Sequence, residues 1–256
     1  MLNIVIPMAG RGSRFADAGF EDPKPFISVG GVPMIELVIN NLRPSCTHRF
    51  IFVCQQEHLQ RYSFSERLNQ LAPGCLILGL NGITDGALCS VLAAEDSIDN
   101  DQPLVIANSD QWVDIYIDDY VANLINNHQD GLIMTMKAND PKWSYAHVDN
   151  NGWVTRVVEK EVISDEATVG IYGFKKGRDF CHFARQMIED NNRSKDEFYV
   201  APVYNYMIKA GMVRIAVYNV GSDGDGMHGL GTPQDLESFL IHCAANTNLS
   251  MCIPAI

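Results

Sequence analysis

Leu2-Asn3-Ile4-Val5-Ile6-Pro7 is an apolar run of strand length with one polar residue, Asn3, and it empties into Met8-Ala9-Gly10-Arg11-Gly12-Ser13-Arg14-Phe15, a loop of small and basic residues. A buried strand that ends in glycines and arginines is where an α/β protein holds an anion. The step Pro23-Lys24-Pro25 follows, and then Pro33-Met34-Ile35-Glu36-Leu37-Val38-Ile39-Asn40-Asn41-Leu42 has helical spacing with proline suited to its first turn.

Outward from that stretch, short apolar runs alternate with helical patterns. Arg49–Cys54, Cys75–Leu80, Pro103–Ala107 and Gly131–Met136 read as strands. Glu57–Leu71, Gly86–Ile98 and Ile117–His128 read as helices. Such alternation predicts an α/β protein: a Rossmann-like, mostly parallel sheet covered on both faces. The pattern then changes. Tyr145–Asp149 and Trp153–Val158 flank Asn150-Asn151-Gly152 and predict an antiparallel hairpin. A strand at Ala167–Phe174, helices at Asp179–Asp190 and Val200–Ala210, a strand at Met212–Asn219, a glycine-rich stretch from Gly221 to Gly231 and a last helix from Pro233 follow. The expectation is a single domain over residues 1–256, with a nucleotide-binding half (1–138) and a substrate-binding half (139–256).

Composition narrows the partners. The net charge is -12, which argues against nucleic acid and against an anionic membrane surface, since both want a basic face. No apolar stretch approaches the ~20 residues of a membrane span. No secretory leader is read at the N-terminus. The seven cysteines are odd in number and form no C-x-x-C pair, which fits reduced thiols in a cytoplasmic protein.

Gly10-Arg11-Gly12-Ser13-Arg14 differs from two common phosphate loops. The dinucleotide fingerprint needs glycine where Phe15 stands, and the P-loop needs a Gly-Lys-Ser/Thr end. Two glycines still let backbone N–H groups form a concave nest, and Arg14 can clamp a phosphate with its planar fork. Lys24, between two prolines, is expected on an extended backbone. Read alone, the loop serves equally as a tight surface turn. Asp110 follows an apolar strand end, where it suits Mg²⁺ or a helix cap.

As a set, these motifs resemble the sugar-phosphate nucleotidylyltransferases. The resemblance runs through Gly10–Phe15, Pro23-Lys24-Pro25 and Gly30-Gly31-Val32-Pro33-Met34-Ile35. Thr84-Asp85-Gly86-Ala87 looks like the family's nucleotide-base loop, and Asp110 falls where its metal-binding aspartate falls. Glu159-Lys160 matches its substrate-phosphate pair, Val169-Gly170-Ile171-Tyr172 its substrate strand, and Gly231-Thr232-Pro233-Gln234-Asp235 its closing motif. Asp196–Asn205, with Tyr199, is similar to a substrate-side helix of capsule-associated members.

The resemblance implies a Mg²⁺-dependent nucleotidyltransferase that joins a nucleoside triphosphate to a phosphorylated small molecule. Ala9, Gly10, Gly12, Ser13, Thr84, Gly86 and Ala87 would hold the nucleotide. Arg14 and Lys24 would be catalytic. Glu159, Lys160, Gly170, Tyr172 and Tyr199 would bind the second substrate. A sugar 1-phosphate, a cytidylyltransferase activity, a role in surface polysaccharide synthesis and a homo-oligomer are all compatible with it. Two positions depart from the family pattern. Glu161 stands where proline is usual, and Gly229 stands where many members have a second metal aspartate. Asp225 is the expected replacement, with Asp223 and His228 as alternatives. A nucleotide-sugar glycosyltransferase would need a D-x-D at the metal strand, where Asn108-Ser109-Asp110 offers none. A non-catalytic nucleotide-binding subunit would have no use for Arg14, Lys24 and Asp110 together.

Overall fold

The structure, a computed structural model, describes residues 1–10 and 12–245; Arg11 and Cys252 lie outside the described residues. The chain opens with β1 (Leu2–Pro7) and α1 (Ser13–Asp17), then a 3-10 turn at Lys24–Phe26 and the short pair β2 (Ser28–Val29) and β3 (Val32–Pro33). It continues through α2 (Met34–Asn41), β4 (His48–Gln55), α3 (Gln56–Arg61), α4 (Phe64–Leu71), β5 (Leu76–Leu80), α5 (Ala87–Leu92) and α6 (Glu95–Ile98). Next come β6 (Leu104–Ala107), β7 (Gln111–Val113), α7 (Ile117–Asn126) and β8 (Gly131–Lys137). The hairpin β9 (Ser144–Val148) and β10 (Val154–Glu159) leads to β11 (Glu166–Phe174), α8 (Gly177–Glu189) and α9 (Val203–Lys209). The end is β12 (Ile215–Asp223), β13 (Gly226–Gly229) and α10 (Pro233–Ala245).

Among the described residues, eleven strands make one sheet, in the order β5-β4-β1-β6-β11-β8-β12-β13-β7, with the β9–β10 hairpin joined to β11. β5, β4, β1 and β6 run parallel, as do β8, β12 and β13. β11 is antiparallel to both its neighbours, β6 and β8. The expected mostly parallel α/β sheet is therefore present, with one reversed strand at its centre.

β1 shows why the sheet is covered on both faces. Leu2, Ile4 and Ile6 enter one apolar cluster with Phe50 and Phe52, while Val5 enters the other with Ile51, Val53 and Phe174. A strand buried on both sides needs apolar residues at odd and even positions alike. A third cluster gathers Phe15 of α1, Trp112 of β7, and Leu230, Leu236 and Phe239 around α10. It fixes the loop after β1 against the last segment of the chain.

Several elements differ from the sequence expectation. The helix expected over Glu57–Leu71 breaks into α3 and α4 at Ser63, whose φ is 52°. The break seats Phe64 against Phe26, with ring centroids 4.1 Å apart. The helix expected over Gly86–Ile98 is likewise two short helices. Lys24 is not extended: it opens the 3-10 turn, and the extended residue is Pro23 (φ −57°, ψ 139°). Asp196–Val200 is not helical. Phe198 donates its N–H to the Asp85 carbonyl and accepts from the Leu88 N–H, so its backbone docks on the 85–88 loop. The glycine-rich stretch is largely β-structure: Ser222 pairs with Gly226, and a Cβ on Gly226 would lie 1.8 Å from the Val220 carbonyl oxygen.

Candidate active site

The site lies at the carboxyl ends of β1 and β6, neighbouring parallel strands, which is where open α/β sheets present their loops to ligands. The loop after β1 is held by Met8 N–H donating to the Val53 carbonyl (2.8 Å) and by Gln55 Nε2 donating to the Ala9 carbonyl (2.8 Å). Gly12 has φ 62°, and a Cβ there would sit 3.1 Å from Lys24 Cβ. Glycine is needed at 12 for both reasons. The close approach brings Lys24 against the loop, and its ammonium pairs with Asp110 Oδ2. Gly10, Gly12, Lys24, Asn108, Ser109 and Asp110 line a cavity of about 250 Å³. Ser13 and Arg14 stand exposed on α1 and do not line it.

A second cavity, about 500 Å³, shares Pro7 and Gly10 with the first. Ala9, Thr84, Gly86, Ala87 and Ser90 line it. The Thr84 hydroxyl donates to the Gly86 carbonyl (3.0 Å) and lies 2.7 Å from Ser90 Oγ. Gly86 caps α5 with φ 122°, and a Cβ there would meet the Phe198 carbonyl oxygen at 2.4 Å. Arg193 stacks over Phe198 (4.2 Å) and pairs with Asp85 (3.0 Å), which binds the 193–198 segment to this loop. That docking carries Glu197 to the cavity wall. Its individual role was not legible in the sequence, because only the tertiary docking of Phe198 brings it there.

A third cavity, about 220 Å³, shares Asn108 with the first and Ala87 with the second. Glu159, Lys160, Gly170, Tyr172 and Tyr199 all line it, so the structure gathers every residue expected on the substrate side. Lys160 has φ 56°, and its ammonium donates to the Tyr199 hydroxyl (2.7 Å). Burial is the largest influence on the Glu159 carboxyl and pushes its pKa up, against the opposing hydrogen bond from Ser144 Oγ (2.6 Å) and the Lys160 charge. Burial also pushes the Tyr172 hydroxyl up, so it stays neutral, hydrogen-bonded with Thr168 (3.0 Å). Gly170 (φ 80°) is held where a Cβ would strike Asn108 Nδ2 at 2.1 Å. Lys142, Trp143 and Ser144 also line it; in the sequence they precede the expected hairpin as ordinary loop residues.

The carboxylates separate clearly. Asp225 is exposed at the turn between β12 and β13, and Asp223 pairs with Lys142 (3.3 Å). His228 is buried beside Trp112, Phe239 and His242, and burial pushes its pKa down, with His242 adding to the effect. Asp235, in the first turn of α10, reaches the backbone at Gly229 and Gly231. Among the described residues no cluster of three or more His, Cys, Asp or Glu side chains could cage a metal. Mg²⁺ does not need one: it is held by one or two carboxylates plus substrate phosphates and waters. Asp110, an oxygen donor just past a strand end beside the loop after β1, fits that requirement.

Residues 4–237 match the family described as nucleotidyl transferase. The chain belongs to that family. Over 179 residues it is 24% identical to the bifunctional protein GlmU of Methanococcus aeolicus; the match takes in 68% of this chain and 40% of that protein. The nucleoside-diphosphate-sugar pyrophosphorylase of Vibrio cholerae RC9 superposes with a TM-score of 0.78 at 24% identity, over 93% of this chain and 99% of that one. The inositol-1-phosphate CTP transferase of T. maritima gives 0.73 at 13% identity, over 97% and 96%. At these identities the structural likeness shows that this nucleotidyl transferase shares their fold.

Proposed function

We propose that the protein transfers a nucleotidyl group from a nucleoside triphosphate to a phosphorylated small molecule and releases pyrophosphate. The observation that carries this reading is the Lys24–Asp110 pair, set in a cavity that joins two others. The larger one, with Ala9, Gly10, Thr84, Gly86 and Ala87, takes the nucleoside. The smaller one, with Glu159, Lys160, Gly170, Tyr172 and Tyr199, takes the attacking phosphate and the group that bears it. The α-phosphorus then falls between them, beside Lys24.

The attacking phosphate is already a nucleophile near neutrality, since its second pKa is ~6, so no general base is required. The work is positioning and neutralisation of charge along an in-line path. Backbone N–H groups at Gly10 and Gly12, with Ser13 and Arg14 closing from α1, hold the β- and γ-phosphates. Lys24 neutralises charge at the α-phosphate. Lys160 draws in the incoming phosphate, and Glu159 accepts from a hydroxyl or amine of the substrate. Asp110, with a second carboxylate, would hold Mg²⁺, which would supply further neutralisation of charge on the phosphates.

The second substrate is a sugar 1-phosphate or a related polyol phosphate, and the nucleotide a pyrimidine such as CTP. The product is an activated unit of the kind used in surface polysaccharide synthesis, made in the cytoplasm. The test is pyrophosphate release from each of the four triphosphates with Mg²⁺ and a panel of sugar and polyol phosphates. A thermal shift screens the nucleotide first: ligand at 100 times its Kd stabilises by ~2.7 kcal/mol. Release that depends on both substrates supports the reading, and its absence with every pair rejects it.

A further inference from the structure

The chain has glycine at both 229 and 231, and the surrounding atoms show what takes the space their side chains would need. A Cβ on Gly229 would meet Asp235 Cγ at 3.6 Å and Oδ2 at 3.7 Å. A Cβ on Gly231 would meet Asp110 Oδ2 at 3.0 Å and Asp235 Oδ2 at 3.8 Å. Two carboxylates, one from the end of β6 and one from the first turn of α10, therefore converge on the same bare backbone. The convergence is built. Leu230 N–H donates to the Asp110 carbonyl (2.7 Å), which ties the glycine segment to the Asp110 loop. Asp235 N–H is capped by Thr232 Oγ1 (3.1 Å), and Leu230, Leu236 and Phe239 anchor both sides in one apolar cluster.

The charges are not balanced within the described residues. Lys24 pairs with Asp110, but no described cation pairs with Asp235. Some favourable interaction with the dipole of α10 is available to it, worth ~0.3–1 kcal/mol, yet that needs no approach to Asp110. Two carboxylates flanking one point repel, and a cation between them would relieve that repulsion beyond what Lys24 does for Asp110 alone. Oxygen donors from two side chains, with open positions left for water and phosphate, suit a hard divalent cation.

We propose that Asp235 is the second protein ligand, with Asp110, of the divalent cation in this site. The proposal deepens the nucleotidyl-transfer reading and rests on it. It gives the role to a helix residue that reaches across glycine, in place of the exposed turn residue Asp225.

The test is Mn²⁺ binding to the full chain, read from the free-ion electron paramagnetic resonance signal with Mn²⁺ alone as the probe. Asp235→Asn should weaken Mn²⁺ binding by about ten-fold or more, as Asp110→Asn does, while circular dichroism shows the fold retained. Adding Gly229→Asp to Asp235→Asn should restore binding, because a side chain at 229 starts beside the place the Asp235 carboxylate occupies. A role confined to the helix dipole would lower the melting temperature and leave Mn²⁺ affinity unchanged; that result overturns the proposal. So does loss of binding in Asp225→Asn with Asp235→Asn unaffected. If Asp110→Asn weakens binding and Asp235→Asn does not, the proposal falls and the nucleotidyl-transfer reading stands. If Asp110→Asn also binds as the wild type does, the assignment of the cation site itself falls.

Discussion

The Lys24 ammonium is paired with the Asp110 carboxylate across the loops that leave β1 and β6. The two side chains are 21% and 26% exposed, and both line the cavity of about 250 Å³. An ion pair of this exposure adds little to stability, about 1 kcal/mol at most. Under the proposed nucleotidyl transfer, its place in the cavity that adjoins the other two gives it a larger consequence in catalysis.

Lys24→Ala should therefore melt within a few degrees of the wild type yet lose about 10²-fold or more in turnover, the range for removing a group that meets charge in the transition state. Pyrophosphate release on matched protein, alongside a melting curve, checks both halves. Near-wild-type release would remove Lys24 from the chemistry.

Glu159 gives a pH-dependent prediction. Burial raises its pKa in the folded state above the ordinary carboxylate value. Such a group contributes stability that is fully present below its unfolded pKa and is lost as pH rises through the folded pKa. Glu159→Gln, which stays neutral, should then melt higher than the wild type at about pH 7, with the gap closing by about pH 4. Melting curves across that window decide it. A wild type that is the more stable at neutral pH would mean the Ser144 and Lys160 interactions outweigh burial.

Gly86→Ala tests the docking that completes the larger cavity, the one proposed to take the nucleoside. The new Cβ would adopt φ 122° and meet the Phe198 carbonyl at 2.4 Å. A strained backbone and a backbone clash together should cost about 1–3 kcal/mol in urea unfolding and release the 193–198 segment to faster amide exchange. Unchanged exchange at Phe198 would contradict the close approach.

Tyr199→Phe removes the hydroxyl that accepts from the Lys160 ammonium in the cavity proposed to take the phosphorylated substrate. The loss of one such bond, about 1 kcal/mol, should weaken binding of the phosphorylated substrate roughly five-fold and leave the nucleotide unaffected. Steady-state kinetics with each substrate varied separately read the difference. An equal effect on both substrates would place Tyr199 in a shared structural role.

What was legible in the sequence follows physical lines. β1 could be read because a strand buried on both faces is apolar at nearly every position, its one polar residue, Asn3, being buried against Arg49, and Asp110 because it follows another such strand. The substrate-side residues Glu159, Lys160 and Tyr172 stood in motifs whose order along the chain carried the reading. Glu197 could not be picked out individually. It reaches the larger cavity only because Phe198 exchanges backbone hydrogen bonds with Asp85 and Leu88, a contact between distant segments. β7 and β13 were hidden for the same reason: three and four residues long, the second of them half glycine, they are made strands by pairing with each other and, for β13, with β12. Ser63 breaks a helical pattern that local propensity would have carried through, because packing Phe64 under Phe26 prevails. Asp235 stood in a closing motif read as a helix start, and its approach to Asp110 depends on two glycines whose meaning is spatial.

The central claim is that the α-phosphorus of a nucleoside triphosphate is attacked between the two cavities. It is tested most directly by running the reaction in parallel with α-labelled and γ-labelled triphosphate. The account predicts that the α label appears in the product joined to the phosphorylated substrate and that the γ label leaves only as pyrophosphate. Transfer of the γ label to the substrate, or its release as inorganic phosphate, would contradict it.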